Sequence, residues 1–152
     1  MDTAALHENT DLVRRFIEQV WQQGRVERIT DFVTAGFVEN AYEPRTREGH
    51  AATVRTLLAA VPDAAWTIER TTAQDDRVVC ELRVRGTHLG PFRAIPASGN
   101  RIDARQYRTF RIEGGLIAEH WALFDTAAFL RQIEAAPHTA EARAGAAERA
   151  NE

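Results

Sequence analysis

The chain has 152 residues and a formal net charge of −3, with 44% hydrophobic and 27% charged residues, which is the balance of one soluble domain large enough to bury a core. That charge gives no electrostatic reason to bind nucleic acid or an anionic membrane. The apolar runs are too short to span a bilayer, and the first residues lack a secretory apolar stretch, so a cytoplasmic protein is expected. All 19 basic residues are Arg, the only Ser is Ser98 and the only Cys is Cys80. A lysine Schiff base, a P-loop lysine and an internal disulfide are therefore excluded, and covalent catalysis has little to work with.

In chain order, Asn9 or Thr10 is placed to cap a first helix. Its apolar positions Leu12, Val13, Phe16, Ile17, Val20 and Trp21 recur at helical spacing and stop at Gly24. A short second helix is expected over 26–33, then an extended piece over 37–42 that ends before Pro44. A third helix over 47–61 turns Val54, Leu57, Leu58 and Val61 inward and stops at Pro62. From there the period changes to two. Strands are expected over 65–72 and 77–88, joined by a turn at Asp75-Asp76. The segment 89–100, with two Pro and two Gly, reads as a loop. Strands over 102–113 and 116–124 flank the hairpin turn Gly114-Gly115. Thr126 is placed to cap a last short helix over 127–135. The Ala-rich, polar stretch 137–152 reads as an exposed helix or a frayed tail, leaving 1–136 as the domain.

Helices, an antiparallel meander and a final helix make an α+β fold, with helices packed on one face of a strongly bent sheet. Such a half-cone has an open mouth, and the hollow beneath it is the natural site. Alternation decides which residues look into it. The even-numbered face of 77–88 is apolar and ends at His88. The even face of 102–113 is apolar at both ends but carries Gln106 and Arg108 in the middle. The even face of the last strand holds Ala118, His120, Ala122 and Phe124. On the early extended piece Val38, Asn40 and Tyr42 share a face.

The polar group expected at the hollow is thus Asn40, Tyr42, His88, Gln106, Arg108 and His120. An interior Arg suits an anionic or enolate-like oxygen, and a histidine suits proton transfer. Structural alternatives are equally concrete. His88 would serve as a backbone anchor beside a Gly-Pro loop. Arg108 would pair with Asp103, Glu119 or Asp125, and His120 would be a hydrogen-bonded core histidine. Cys80, mid-strand, reads as inert packing. No H-x-H, H-E-x-x-H or cysteine cluster supports a metal, and none is expected.

The segments LVRRFIEQVWQQGRVERITDFVTAGFVEN, GTHLGPFRAIPASGNRI and FRIEGGLIAEHWALFD resemble the SnoaL-like polyketide cyclases of the nuclear-transport-factor-2-like superfamily, over about residues 10–133. The resemblance implies a cone-shaped α+β barrel, with a mixed, mostly antiparallel curved sheet enclosing a pocket. It also implies a homodimer or higher oligomer, no cofactor and a small-molecule polyketide-like substrate. In typical members an acidic residue on the last strand is general acid/base in an aldol closure, and a Gln and a His two apart on the preceding strand bind the enolate. The Gln position matches Gln106. The His position falls on Arg108 and the acidic position on Ala122, both departures.

On that reading His120 is the expected acid/base group, with Arg108 and Gln106 binding oxygen. Asn40, Tyr42 and His88 would position the substrate, and Trp21, Phe124 and Ala122 would form the wall. The expected reaction is cofactor-independent ring closure of a polyketide in natural-product (antibiotic) biosynthesis. Holding the reacting carbons together supplies about 7–11 kcal/mol in favourable cases. A non-catalytic binding or dimerisation module, or an epoxide hydrolase or dehydratase of the same fold, remain open at this point.

Overall fold

A computed structural model describes residues 2–136 of the chain; the expectation for 137–152 lies outside the described residues. Helix α1 (Thr3–Phe16) continues as a π-helical turn over Ile17–Gln22. A 3-10 turn (Val26–Arg28) leads into the short helix α2 (Ile29–Phe32) and strand β1 (Val33–Glu39). Helix α3 (Arg47–Ala60) follows, then strands β2 (Ala65–Gln74), β3 (Arg77–Thr87), β4 (Arg101–Glu113) and β5 (Leu116–Phe124), and helix α4 (Thr126–Glu134). No helix among the described residues is long and apolar enough to cross a membrane.

The first helix begins earlier than the sequence reading placed it. Asp2, not Asn9 or Thr10, is the cap, its carboxylate accepting from Ala5 N at 2.8 Å. The first two turns carry their apolar residues, Ala4, Ala5 and Leu6, in one consecutive run and show no apolar stripe, so periodicity finds the helix only where it becomes buried. Thr10 instead bonds back to Leu6 O. The buried stripe is as expected: Leu12, Val13, Phe16, Ile17, Val20 and Trp21 are all at most 6% exposed. At the other end of the chain, Asp125 rather than Thr126 caps α4, accepting from Ala128 N at 3.0 Å.

The sheet runs β1-β5-β4-β3-β2, with β1 parallel to β5 and the other pairs antiparallel. The β4–β5 hairpin closes through Gly114 and Gly115, at φ 57° and 77°. Two successive positive φ angles are what a tight hairpin turn requires and what glycine adopts without strain. The even-numbered residues of β3 and β4 from Val78 to Val84 and from Ile102 to Ile112 are buried, as alternation demands. A bulge in β5 opposite Arg111 and Ile112 buries Ile117 and Ala118 in succession. Beyond it the even face still points inward, through His120.

β1 is where alternation misleads. Its inward residues are Val33, Phe37 and Glu39, not Val38 and Asn40. The strand pairs in parallel with β5 so that Glu39 lies beside His120, both facing in. Asn40 is thereby turned to the outer face, where its amide donates to Glu119 at 3.1 Å and accepts from Arg45.

Candidate active site

Between the concave face of the sheet and helix α3 lies a cavity of about 480 Å³, a size that suits a small organic molecule. Its walls include Trp21, Tyr42, Leu57, Phe92, Gln106 and Phe124, and its rim carries Glu43 and Arg93. Trp21 arrives on the π-helical turn at the end of α1. Tyr42 arrives from the bend that follows β1, so it reaches the hollow although the strand parity that suggested it does not hold.

Below this wall lies a layer of buried polar side chains. Arg108 is fully buried. Its Nε and Nη2 donate to Gln106 Oε1 at 3.0 and 2.8 Å, and its guanidinium stacks 3.6 Å from the centre of the Trp21 ring. Two Arg donors fix the oxygen end of the Gln106 amide toward Arg108. The amide NH2 is left to face the cavity side, close enough to Tyr42 to interact with its hydroxyl. Burial lowers the pKa of Arg108, with Tyr42 and Glu39 opposing, but a guanidinium stays cationic throughout. Burial raises the pKa of Tyr42, and Arg108 partly offsets it, so the phenol is a proton donor at neutral pH.

Behind Tyr42 is a cluster only partly foreseen in the sequence. Glu39, His50 and His120 are all fully buried. Glu39 Oε2 lies 2.7 Å from His50 Nδ1, and its two oxygens lie 2.8 and 3.0 Å from His120 Nδ1. Ala41 N donates to Glu39 Oε1 at 3.0 Å, and the Trp21 indole N–H donates to His50 Nε2 at 2.9 Å. Burial drives the pKa of His50 down to about 3 despite its bond to Glu39. Burial, then Arg108, holds His120 well below the ordinary value. Both imidazoles are neutral at physiological pH, so His120 is a proton acceptor there rather than a donor. His120 Nε2 and Arg108 Nη1 are buried and have no partner among the described residues.

The ligating atoms of Glu39, His50 and His120 lie within 4.8 Å of one another, and these are metal-binding residue types. The hydrogen bonds oppose that use. Trp21 donates to His50 Nε2, so that nitrogen holds the lone pair and Nδ1 holds the proton. A cation on the Nδ1 side would have to strip the ring to an imidazolate.

The structure thus brings together Gln106, Arg108, Tyr42, His120, Trp21 and Phe124. His120 and Arg108 lie one layer beneath the cavity wall instead of on it. Asn40 is on the outer face. His88 is not among the residues that line the cavity. Its Nδ1 lies 2.9 Å from Ser98 Oγ and accepts from Ser98 N at 3.2 Å, pinning the 89–100 loop. Ala122 pairs with Arg108 across the strands and borders an outer groove with Tyr107, Trp121 and Leu123 instead of the cavity. Cys80 is buried, its thiol pKa pushed up by burial to about 11, which is inert packing.

Glu39 and His50 went unrecognised in the sequence, although a signal for each exists. His50, Val54 and Leu57 form an i, i+4, i+7 stripe on α3, and Val33, Phe37 and Glu39 alternate in phase once β1 is started at Val33.

Residues 11–133 match the family described as SnoaL-like polyketide cyclase. The chain is 30% identical over 116 residues to the aklanonic acid methyl ester cyclase DnrD of Streptomyces peucetius, covering 72% of this chain and 79% of that one. It has the same identity to the aklanonic acid methyl ester cyclase DauD of Streptomyces sp. strain C5, covering 71% of that protein. Among solved structures, TsrD from Streptomyces laurentii superposes with a TM-score of 0.76 at 26% identity, over 89% of this chain and 98% of that one.

Proposed function

We propose that this chain, which belongs to the SnoaL-like polyketide cyclase family, closes a ring in a polyketide-type intermediate by acid–base and electrostatic catalysis without a cofactor. The observation that carries this reading is the floor of the cavity. Beside the apolar Trp21, Leu57, Phe92 and Phe124, the Gln106 amide and the Tyr42 hydroxyl present donors, and a buried guanidinium stands directly behind them.

The chemistry follows from that arrangement. A substrate carbonyl accepts from the Gln106 NH2 and the Tyr42 hydroxyl. Arg108, bonded to the other end of the same amide, polarises it and makes it a stronger donor. As a proton leaves the adjacent carbon, the growing enolate charge is met by fixed donors and a fixed cation. His120 is the acceptor for that proton: it is the neutral imidazole beneath the wall whose Nε2 has no partner among the described residues, and its ring lies beside that of Tyr42. The enolate carbon then attacks a second carbonyl of the same molecule, held near it by Trp21, Leu57, Phe92 and Phe124; that C=O π bond opens to an alkoxide, which takes back the proton held by His120. A second copy of the chain is proposed to pack on the outer face of β4 and β5, which exposes Tyr107 and Leu123.

Aklanonic acid methyl ester, the compound in the names of both curated relatives, is the first probe. Ring closure followed by chromatography should be lost on Gln106→Ala and on His120→Ala, by about 10²–10⁴-fold for the histidine. One observation favours a different reading, a non-catalytic binder: His120 does not line the cavity. Saturable binding of the probe with no turnover, unchanged in both variants, would decide for the binder.

A further inference from the structure

Two features of the buried cluster need a joint explanation. A carboxylate is enclosed by two imidazoles, and one imidazole nitrogen, His120 Nε2, is left in the interior without a partner among the described residues. A buried polar atom with no partner costs about 1–3 kcal/mol, so its presence asks for a use.

The hydrogen bonds fix the proton positions in sequence. An indole N–H only donates, so His50 Nε2, which accepts from Trp21, is unprotonated. A neutral His50 then carries its proton on Nδ1 and donates it to Glu39. An ionised Glu39 offers acceptors only, and it already accepts from Ala41 N. His120 Nδ1, at 2.8 Å from the same carboxylate, must therefore be a donor too. With its proton on Nδ1, neutral His120 has its lone pair on Nε2.

We propose that Glu39 is a positioning residue, anchored by the Trp21–His50 pair, which holds His120 in the Nδ1–H form and so keeps Nε2 as the basic nitrogen. The inference rests on the reading of His120 as the proton acceptor of ring closure. The site would then work on substrates with an acidic C–H beside a carbonyl, because His120 offers that C–H a lone pair.

The test is the imidazole tautomer, read from two-bond 1H–15N correlations in the 15N-labelled protein at neutral pH. In the wild type, His50 and His120 should both appear as neutral Nδ1–H rings. In Glu39→Gln one carboxylate oxygen becomes an NH2 donor. Trp21 keeps His50 a donor to the Oε2 position at 2.7 Å, so the amide oxygen stays there and the NH2 takes the Oε1 position, giving up the Ala41 N bond; there it faces His120 Nδ1, and His120 should switch to Nε2–H while His50 stays unchanged.

Turnover of aklanonic acid methyl ester should fall at least 100-fold in Glu39→Gln with KM little changed, and recover in part in Glu39→Asp. A wild-type His120 already in the Nε2–H form overturns the proposal, and this holds even if the variant does not fold. So does a folded Glu39→Gln protein whose His120 remains Nδ1–H. A tautomer switch with full turnover would support the control by Glu39 and instead remove His120 as the base.

Discussion

Arg108 is a buried cation that no carboxylate touches among the described residues; it donates to an amide oxygen and stacks on the face of an indole. Two neutral histidines and one glutamate share the interior a layer away. Such groups are costly to bury, and a cost of this kind is tolerated where function needs it.

The histidines make stability depend on pH. Each has a folded pKa below its ordinary 6.5, to about 3 for His50. Below pH 6.5 the unfolded chain takes up protons that the folded chain refuses, so stability falls as pH falls. The slope is about 1.4 kcal/mol per pH unit for each histidine until its folded pKa is reached. Urea unfolding at pH 7.5 and at pH 5 should show this loss, and His50→Phe should reduce it. A flat dependence would mean that the imidazoles are not buried neutral.

At the scale of elements, the bend between β1 and α3 brings Tyr42 over the buried cluster, and α3 holds that bend in place. The contact is tight at Gly49, in the first turn of α3, where a Cβ would come within 1.9 Å of Pro44 O. Gly49→Ala must push the bend or the helix away. Thermal unfolding should show a loss of about 1–3 kcal/mol, the usual range for overpacking, and the shift of Tyr42 should weaken probe binding. Gly36 in β1 is the control, because a Cβ there meets nothing within 4 Å. Gly36→Ala should be neutral or stabilise by up to about 1 kcal/mol, since glycine weakens a strand interior.

On the scale of the whole molecule, the curved sheet has two faces with different work. The inner face carries the cavity and the polar layer. The outer face of β4 and β5 leaves Leu123 78% and Tyr107 44% exposed, while Trp121 beside them lies under the Arg77 guanidinium. If a second copy covers this face, Leu123→Arg should give monomers in sedimentation velocity where the wild type gives dimers, with the far-UV circular dichroism unchanged. A monomeric wild type would leave that face free.

Much of this was open to reading in the chain itself, because the information is local. Period-two alternation on β3 and β4 follows from the pleat of each strand, so the inward set from Val78 to Ile112, with Gln106 and Arg108 in its middle, needed no partner to be identified. The absence of Lys and the single Ser and Cys bounded the chemistry for the same reason. Tertiary packing alone decided the rest. The phase of β1 is set by its parallel pairing with β5, which turns Glu39 inward and Asn40 out. Whether a side chain on the inner face touches the cavity or lies beneath it depends on what α3 and the Tyr42 bend place above it. Depth is a relation between segments far apart in sequence, and no single strand's pattern contains it.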